Sequence, residues 1–274
     1  MNATTCSTIE PARPGDGGLV AGFIADSLPP PLRGLTIWAS PRARHWVEGA
    51  LGGTEPGLRR RFYLLRSGGA ALGLAAFRTL DGAAFLDHLY ITPPQRGRGL
   101  GARLLASAAS RYLAAGRGGP LALDVFSPRP AVEAWYARLG FEERGRRWWS
   151  VAAVAPARGC RVRLEGLDRA AREHRAWGFS SFTAVEGLEG RRFTVGRLYS
   201  PYFRFSGLRS PEEALLPGPV GGALISLDPA RRLLLISTQE PASPAWRQVA
   251  HSRRLEASAK TLLERLGACP ETPC

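Results

Sequence analysis

The stretch PPQRGRGLGARLL, residues 93–105, decides how the first half of this chain is interpreted. A β-type run, residues 83–92, leads into it, and a helix-type run, residues 100–115, leads out of it. Glycine lets backbone N–H groups turn inward and approach a ligand closely. A helix N-terminus adds unsatisfied N–H donors and a partial positive charge. The stretch therefore predicts a cradle for a pyrophosphate group.

Two common phosphate-binding motifs do not fit this stretch. A P-loop needs Lys followed by Ser or Thr after its last glycine, whereas Ala102 and Arg103 follow Gly101. The dinucleotide fingerprint needs G-x-G-x-x-G, whereas Gly97, Gly99 and Gly101 give G-x-G-x-G, and no acidic residue closes a second strand about 20 residues further on. What fits is R-x-x-G-x-G, formed by Arg96, Gly99 and Gly101. The structural alternative is a tight strand-to-helix turn with two solvated arginines.

Three segments, taken in order, resemble the GNAT superfamily of N-acetyltransferases. The R-x-x-G-x-G motif after a strand ending Leu89-Tyr90-Ile91 is similar to the acetyl-CoA-binding segment of that family. Residues 8–16 look like its opening strand and first turn, and AVEAWYARLGF, residues 131–141, is similar to its late helix and following strand. The resemblance covers residues 5–150 and implies an α/β (α+β) GNAT fold, with a mixed, mostly antiparallel central sheet flanked by helices.

The resemblance implies acetyl-CoA as the cosubstrate. The strand before the motif would pair through its backbone with the pantetheine arm, like an added strand. It would also splay from the next strand, residues 121–126, to open a V-shaped slot. The implied cofactor-binding residues are Leu89, Tyr90, Ile91, Arg96, Gly97, Arg98, Gly99, Leu100 and Gly101. Arg129 stands where the family commonly has an Asn that contacts the cofactor, and here its guanidinium would reach a phosphate instead.

Acetyl transfer to an alkyl ammonium requires the loss of a proton. The pKa of such a group is near 10.4, so neutralising it at pH 7 costs about 4.6 kcal/mol, and a general base or a water chain is expected. Asp87 is the preferred base, since many family members carry an acidic residue at this position; the alternative is an ordinary partner for an arginine. Strand alternation predicts that Asp87 and His88 point to opposite faces. Glu142 and Glu143 are weaker candidates.

Tyr136 is the second catalytic candidate. It lies where the family often places its general acid, near the CoA sulfur. Because a phenol is a weaker acid than a thiol, its use would be to donate a hydrogen bond to the developing thiolate. The alternative is a core aromatic residue beside Trp135.

Composition narrows the function classes. The formal charge of +14 attracts anions, but the arginines are scattered and form no basic tail or stripe, which argues against a nucleic-acid partner. No apolar run approaches the length of a membrane span, so we expect a cytoplasmic protein with no membrane partner. No metal site is expected, because the four cysteines form no C-x-x-C pair and the four histidines are dispersed.

The sequence predicts two domains, a GNAT acetyltransferase domain over residues 5–154 and an accessory α+β domain over residues 160–274. In the second half we expect a helix at 167–177, strands at 180–185, 192–198, 202–206 and 232–238, a Pro/Gly-rich loop at 217–222 and a long helix at 246–266. This half is either a degenerate GNAT-like repeat or an unrelated domain.

These observations favour an acetyl-CoA-dependent N-acetyltransferase. Its acceptor would be a primary amine on a small molecule, a peptide N-terminus or a lysine, and the protein would be a monomer or a homodimer. Two alternatives stay open. One is a non-catalytic CoA-binding regulatory module, which would keep the loop but lack a usable base and acid. The other is a nucleic-acid-associated basic protein.

Overall fold

The strand, glycine-rich join and helix expected around residues 83–115 are present in the structure, which is a computed structural model. It describes residues 7–53, 60–116, 119–156, 161–187, 190–208 and 218–267. These residues group into two compact units, and neither is continuous in sequence. The first unit comprises Met1–Leu28, Arg44–Arg144 and Arg253–Cys274; the second comprises Pro29–Ala43 and Gly145–Ser252.

Strands and helices are mixed along the described residues. The strands are β1 (Ser7–Pro11), β2 (Arg60–Ser67), β3 (Ala70–Leu80), β4 (Ala83–Ile91), β5 (Leu121–Phe126), β6 (Glu142–Ala152), β7 (Val162–Glu165), β8 (Ser180–Glu186), β9 (Arg191–Arg197), β10 (Tyr202–Leu208), β11 (Arg232–Ser237) and β12 (Arg247–Ala257). The helices are α1 (Gly17–Ser27), α2 (Pro30–Arg33), α3 (Ala43–Leu51), α4 (Leu100–Ala114), α5 (Pro130–Arg138), α6 (Leu167–Trp177), α7 (Pro219–Leu227) and α8 (Ala259–Arg265).

The first unit is built on a sheet with the strand order β1-β2-β3-β4-β5-β12. The β1·β2, β2·β3 and β3·β4 pairs are antiparallel, whereas β4 and β5 are parallel because α4 crosses between them. The mixed, mostly antiparallel sheet implied by the resemblance is therefore confirmed. Helix α4 packs on one face of the sheet, and α1 packs against β3 and β4.

Helix α4 covers the main core of this unit. Its Leu104, Leu105 and Tyr112 are fully buried against β-strand side chains such as Phe77 and Leu123. The ring of Tyr112 stacks on Phe77 at 5.2 Å, and its hydroxyl lies 3.0 Å from Thr79 Oγ1. This burial fixes the helix on the sheet, and with it the position of the helix N-terminus at the end of the glycine-rich join.

The expected long helix over residues 246–266 is wrong. The segment is the strand β12 followed by the short helix α8, with Ser258 at the α8 N-cap position in an extended conformation. Alanine, arginine, leucine and glutamate favour helices, but this is a weak preference that strand pairing and burial override. Leu255, Ala257 and Leu262 are buried in the core of the first unit. The last segment of the chain is thus part of the first unit.

The second unit has the strand order β6-β11-β10-β9-β8-β7. Only its β10·β11 pair is parallel; β6·β11, β10·β9, β8·β9 and β7·β8 are antiparallel. Its buried core includes Phe182, Phe193, Phe203 and Phe205. Residues 29–43 attach to this unit through Ser40, which donates a 2.5 Å hydrogen bond to the Trp177 carbonyl at the end of α6.

The expected loop at 217–222 is also wrong beyond Gly218, since α7 begins at Pro219. Proline suits the first helical position because its missing N–H would have no intrahelical partner there. Gly221 and Gly222 are helical and buried. Each costs about 1 kcal/mol relative to alanine, and burial of neighbours such as Val220 and Leu224 offsets this cost.

The two units repeat one topology. Each has four strands that pair successively in antiparallel fashion. The fourth strand is followed by a helix and then by a strand parallel to it, which gives β4-α4-β5 in the first unit and β10-α7-β11 in the second. The division into domains over residues 5–154 and 160–274 remains a prediction about which segments of the chain fold independently. Spatially, the first unit also takes residues 253–267.

We expect a chain that ends at residue 154 to lose the cooperative thermal unfolding of the first unit. It lacks β12 and α8, and with them three buried core side chains. In the full chain, Leu262→Ala should lower the free energy of unfolding by about 2–5 kcal/mol, because Leu262 is completely buried. Calorimetry on the shortened chain and urea titration of the variant measure these effects.

The matched control is Val132→Ala, at an exposed apolar position of the same unit, which should change stability by less than about 0.5 kcal/mol. A chain of residues 1–154 that melts cooperatively near the full-length transition would instead support the domain boundary predicted from the sequence.

Candidate active site

The central feature of the site is the point where β4 and β5 part. Their parallel pairing runs from Ala84↔Leu121 to Leu86↔Leu123 and goes no further, although both strands continue. On its other edge, β4 stays paired with β3 through Ile91. The β4 segment from Asp87 to Ile91 therefore has one edge without a strand neighbour among the described residues. An open edge at this place is what the V-shaped slot implied by the resemblance requires.

The glycine-rich join lies at the end of this open segment. Gly97 and Gly99 have φ of +75° and +74°, which disfavours side chains, and Gly99 is the N-cap of α4. The first N–H groups of α4 have no carbonyl partner within the helix. Arg96 turns back, donating from Nε to the Ile91 carbonyl at 2.9 Å, with its guanidinium 5.5 Å from the Tyr90 ring. The arginine thereby braces the join against the strand.

The implied cofactor residues are thus brought together. Leu89 and Ile91 pack toward the α4 core, and Tyr90 packs on Phe23 of α1 with ring centroids 5.2 Å apart. Arg98 is exposed and donates to Gln95 at 3.2 Å. Leu100 and Gly101 form the first turn of α4. Arg129 is the exposed N-cap of α5, where its backbone N–H donates to Glu133. Its contact with a phosphate remains a prediction.

A β-bulge lies where the two strands part. The β3·β4 register pairs Phe77 with Leu86 and Ala76 with His88, so Asp87 is the extra residue. As a result Asp87 and His88 both lie on the α1 face of the sheet, and the expectation that they point to opposite faces is wrong. Simple alternation fails here because the bulge inserts one residue into the two-residue period.

Two arginines hold the Asp87 carboxylate. Arg60 Nε lies 2.7 Å from one oxygen and Arg78 Nε 2.8 Å from the other, and the side chain is 9% exposed. Burial disfavours the charged carboxylate, but Arg60 and Arg78 outweigh it and lower the pKa of Asp87. Asp87 is thus an ionised partner for two guanidiniums and a weak proton acceptor. Its role as the base remains a prediction.

His88 is the neighbouring titratable group. Its Nδ1 lies 3.0 Å from Ser27 Oγ at the end of α1. Burial, together with the smaller effect of Arg60 and Arg78 and against the opposing effect of Asp87, lowers the pKa of His88 to about 4. The imidazole is therefore neutral at pH 7.

Asp124 and Arg254 form a second ion pair at the same place, and the sequence does not reveal it. Asp124 is the first β5 residue beyond the last paired one, and Arg254 of β12 holds it through Nε at 2.6 Å and Nη2 at 3.2 Å. The Arg254 guanidinium lies 4.8 Å from the ring of Phe85. Arg254 lies in the segment 246–266, whose residue types favour a helix, so no local pattern indicates this ion pair.

Tyr136 is buried in the core beneath α5, 7% exposed, with its ring against Trp135 and Phe141. Burial raises the pKa of its hydroxyl. Within the described residues that hydroxyl has no hydrogen-bond partner. Glu142 pairs with Arg144 at 2.9 Å, and Glu143 lies 3.5 Å from Arg253. Both glutamates thus neutralise arginines on the surface.

The described residues contain no group of three or more histidine or acidic side chains arranged to hold a metal. Cys6, Cys160, Cys269 and Cys274 lie outside the described residues. Among the described helices, none has both the length and the apolar content needed to cross a membrane.

The second unit lacks the opening. Its parallel pair stays in register from Tyr202↔Arg232 to Leu208↔Ser237, with one irregularity after Ser206. The edge that is free in β4 is therefore occupied in β10. Over its described residues, the repeat keeps the strand–helix–strand arrangement without a parting of the parallel strands.

Residues 59–143 match the family model of the GNAT acetyltransferase domain. A search of curated proteins gave no significant match. The fold is similar to that of a tandem GNAT protein from the clavulanic acid biosynthesis pathway, solved without AcCoA (TM-score 0.59, 18% identity, covering 93% of this chain and 99% of that one).

Two further solved structures share the fold. One is a GCN5-related N-acetyltransferase from Sphaerobacter thermophilus (TM-score 0.56, 15% identity, 92% of this chain and 96% of that one). The other is a GCN5-related N-acetyltransferase from Kribbella flavida (TM-score 0.51, 19% identity, 93% and 72%). Since these matches span both units, the second unit is a GNAT-like repeat in its fold.

The lowered pKa of His88 predicts a pH dependence of stability. The unfolded chain takes up the histidine proton near pH 6.5, whereas the folded protein takes it up near pH 4. The contribution of His88 to the free energy of unfolding should therefore be fully present above pH 6.5, decrease as the pH drops, and be lost below about pH 4. The total loss amounts to up to about 3 kcal/mol. His88→Gln should remove this part of the loss, measured as urea midpoints between pH 7 and pH 4.

The control is His45→Gln, at an exposed histidine of the same unit, which should retain the wild-type pH profile. His174 in the second unit also has a pKa lowered to about 4, by burial first and then by Arg197. Some pH dependence should thus persist in every variant. Identical profiles for the His88 and His45 variants would contradict the prediction.

Proposed function

We propose that this protein is an acetyl-CoA-dependent N-acetyltransferase acting on a primary amine, on the premise that residues 59–143 match the GNAT acetyltransferase domain. The observation that carries the proposal is the parting of β4 and β5 directly ahead of a helix N-terminus with a glycine-rich approach. An amide-rich pantetheine arm needs a free strand edge, and a pyrophosphate needs unpaired N–H donors and positive charge. The two requirements are met at the two ends of one segment.

We propose that the cofactor lies along this segment. Pantetheine would pair with the backbone of Leu89, Tyr90 and Ile91, and the pyrophosphate would sit on Gly97–Gly101, with Arg98 and Arg96 supplying charge. The thioester would then point toward Asp87, where the strands part. Charge-assisted hydrogen bonds contribute about 1.5–3 kcal/mol each, so a few are enough for micromolar affinity.

For the chemistry, the amine nitrogen attacks the thioester carbonyl carbon, the C–S bond breaks, and the amine proton leaves. Tyr136 would donate a hydrogen bond to the departing thiolate. The raised pKa of Tyr136 means that the phenol stays protonated, which suits stabilisation of the thiolate through a hydrogen bond rather than full proton transfer. Asp87 remains the proposed base. Because Arg60 and Arg78 make it a weak proton acceptor, they favour loss of the amine proton through a water chain.

One observation favours the alternative of a non-catalytic CoA-binding module. The Asp87 carboxylate is already committed to two guanidiniums, and the neutral His88 is a weak base. A module that only binds CoA would need neither group to accept a proton. Release of free thiol in the presence of an amine separates the two functions, because binding alone releases none.

We further propose one acetyl-CoA site per chain. Within the described residues β10 stays paired with β11 and offers no free edge for pantetheine, so the second unit would not bind a second cofactor. The acceptor would be a small-molecule or peptide amine, or a lysine. A location in the cytoplasm and a monomeric or homodimeric state remain predictions.

Gly99→Glu should abolish or weaken acetyl-CoA binding at least tenfold, because it places a carboxylate beside the proposed pyrophosphate site. Gly116→Glu is a closely matched control. Both glycines have φ of +74°, both border α4, and an added Cβ at either meets no described atom within 4 Å. The two variants therefore share the same φ and the same added charge. Calorimetric titration with acetyl-CoA measures both variants.

The expected stoichiometry in the wild-type protein and in the Gly116 variant is one. Equal loss of affinity in the two variants would trace the effect to strain rather than to the site. Two sites per chain would overturn the assignment of the second unit.

Tyr136→Phe should lower kcat about 10- to 100-fold and leave the Kd for acetyl-CoA unchanged, since only the thiolate hydrogen bond is lost. Tyr112→Phe is the control, as it removes a buried hydroxyl that bonds Thr79 in the same core. Thiol release with an amine panel reports kcat. Equal rates for the two variants would assign Tyr136 to the core alone.

A further inference from the structure

Phe85 lies between two guanidiniums on the face of the sheet opposite α4. Arg78 Cζ is 5.1 Å from its ring centroid and Arg254 Cζ is 4.8 Å from it. Phe85 pairs in register with Ala122 of β5, just before the strands part. The two arginines therefore stand at the closed end of the slot.

Each of these guanidiniums is held in place by an aspartate. Asp87 binds Arg78 and also Arg60, and Asp124 binds Arg254 through two contacts. The two aspartates are the first residues beyond the last paired residues of β4 and β5. The ring of Trp46 lies 5.8 Å from the Arg60 guanidinium. An arginine held this way keeps its geometry, so little conformational entropy remains to be lost when a ligand binds.

The cluster of three arginines and two aspartates carries an excess positive charge and N–H donors that make no hydrogen bond within the described residues. Three guanidiniums face two carboxylates, which leaves one positive charge, and His88 is neutral. Arg60 and Arg78 each use Nε on Asp87, and in the described part of the chain their Nη groups have no partner. Their side chains are 22% and 33% exposed. Two fixed, partly exposed guanidinium ends thus present unused N–H donors.

We propose that the Nη groups of Arg60 and Arg78 bind a carboxylate carried by the acceptor, an inference that rests on the proposed function. The preferred substrates are then amines that also bear a carboxylate. Planar guanidinium ends match the geometry of a carboxylate and bind it with paired hydrogen bonds. An acceptor with no anionic group would meet only the excess positive charge. That charge also favours the neutral form of a nearby amine, which attack on the thioester requires.

The pyrophosphate does not compete for these arginines. The proposed phosphate cradle begins beyond Ile91, whereas Asp87 lies four residues earlier on an extended strand that rises about 3.3 Å per residue. Besides its proposed role as the base, Asp87 on this account also positions the two guanidiniums.

Matched acceptor pairs test the proposal on the full-length protein. Phenylalanine, β-alanine and 4-aminobutanoate are each compared with the corresponding carboxamide, and phenylalanine also with phenethylamine, by thiol release from acetyl-CoA. The amide removes the negative charge and keeps the skeleton. Because the α-amide has the more acidic ammonium, intrinsic reactivity would favour it over the amino acid. We expect at least one acid to exceed its amide at least tenfold in kcat/KM.

Arg78→Gln should remove most of this preference, while Arg60 still neutralises Asp87 and the protein stays folded. Arg13→Gln is the charge-matched control, at a largely exposed arginine of the same unit, and should keep the preference. Thermal midpoints of the three proteins check folding. If Arg78→Gln unfolds the protein, Arg78→Lys, which keeps the charge and loses the planar end, replaces it and should reduce the preference.

The outcomes separate this inference from the proposed function. Amides that match or exceed the acids in every pair, or a preference that survives in the Arg78 variants, would overturn the inference and leave the acetyltransferase standing. If acetyl-CoA binds but no acceptor is acetylated, the affinities of the N-acetylated acids and of their amides are measured in the presence of CoA. Acids that bind tenfold more tightly than their amides support the inference, and equal affinities refute it. Absence of acetyl-CoA binding would refute the proposed function, and this inference with it.

Discussion

The parting of β4 and β5 after Leu86↔Leu123 is the constraint on which the rest of the first unit depends. A parallel strand that stops pairing leaves N–H and C=O groups that need other partners, because unpaired buried backbone groups are costly. The protein places a bulge at Asp87 and a glycine-rich helix start at the far end of the open segment. The same five-residue stretch thus borders both the proposed acyl end and the proposed phosphate end.

The second unit shows what this opening changes. It repeats the strand–helix–strand arrangement with β10, α7 and β11, but its parallel pair stays closed to the end of β11. In place of a glycine N-cap in the left-handed region, α7 starts with an extended Gly218 and a proline that has no N–H to offer. Two units of one topology therefore differ in the feature that a cofactor would need. The repeat retains the core and the sheet, which stabilise the fold, without the slot.

The high arginine content acquires a different meaning in the structure. By composition it suggests anionic partners in general. At the site, however, the arginines act individually: Arg96 braces the loop on Ile91, and Arg60 and Arg78 hold Asp87. Arg254 does the same for Asp124. Fixed guanidiniums at defined positions give selectivity for an anion's location, which scattered surface charge does not.

Much of the fold follows from local patterns. Strand β5 and helix α6 have the bounds that the sequence predicts, because an apolar run and a helical period mark them. The glycine-rich join and the start of α4 also follow, since Gly99 adopts a backbone conformation that few other residues tolerate. The resemblance points to Tyr136, and its burial fits both a core and a catalytic role.

The sequence by itself determined the local elements and the phosphate-type loop, because turn glycines and hydrophobic periods act over a few residues. The tertiary structure alone decided that β12 is a strand, that the bulge turns Asp87 and His88 to one face, and that Arg254 meets Asp124 across 130 positions. Helix propensities in residues 246–266 amount to tenths of a kcal/mol per residue. Strand pairing and burial of Leu255 and Ala257 outweigh them, and those partners lie far away in the chain.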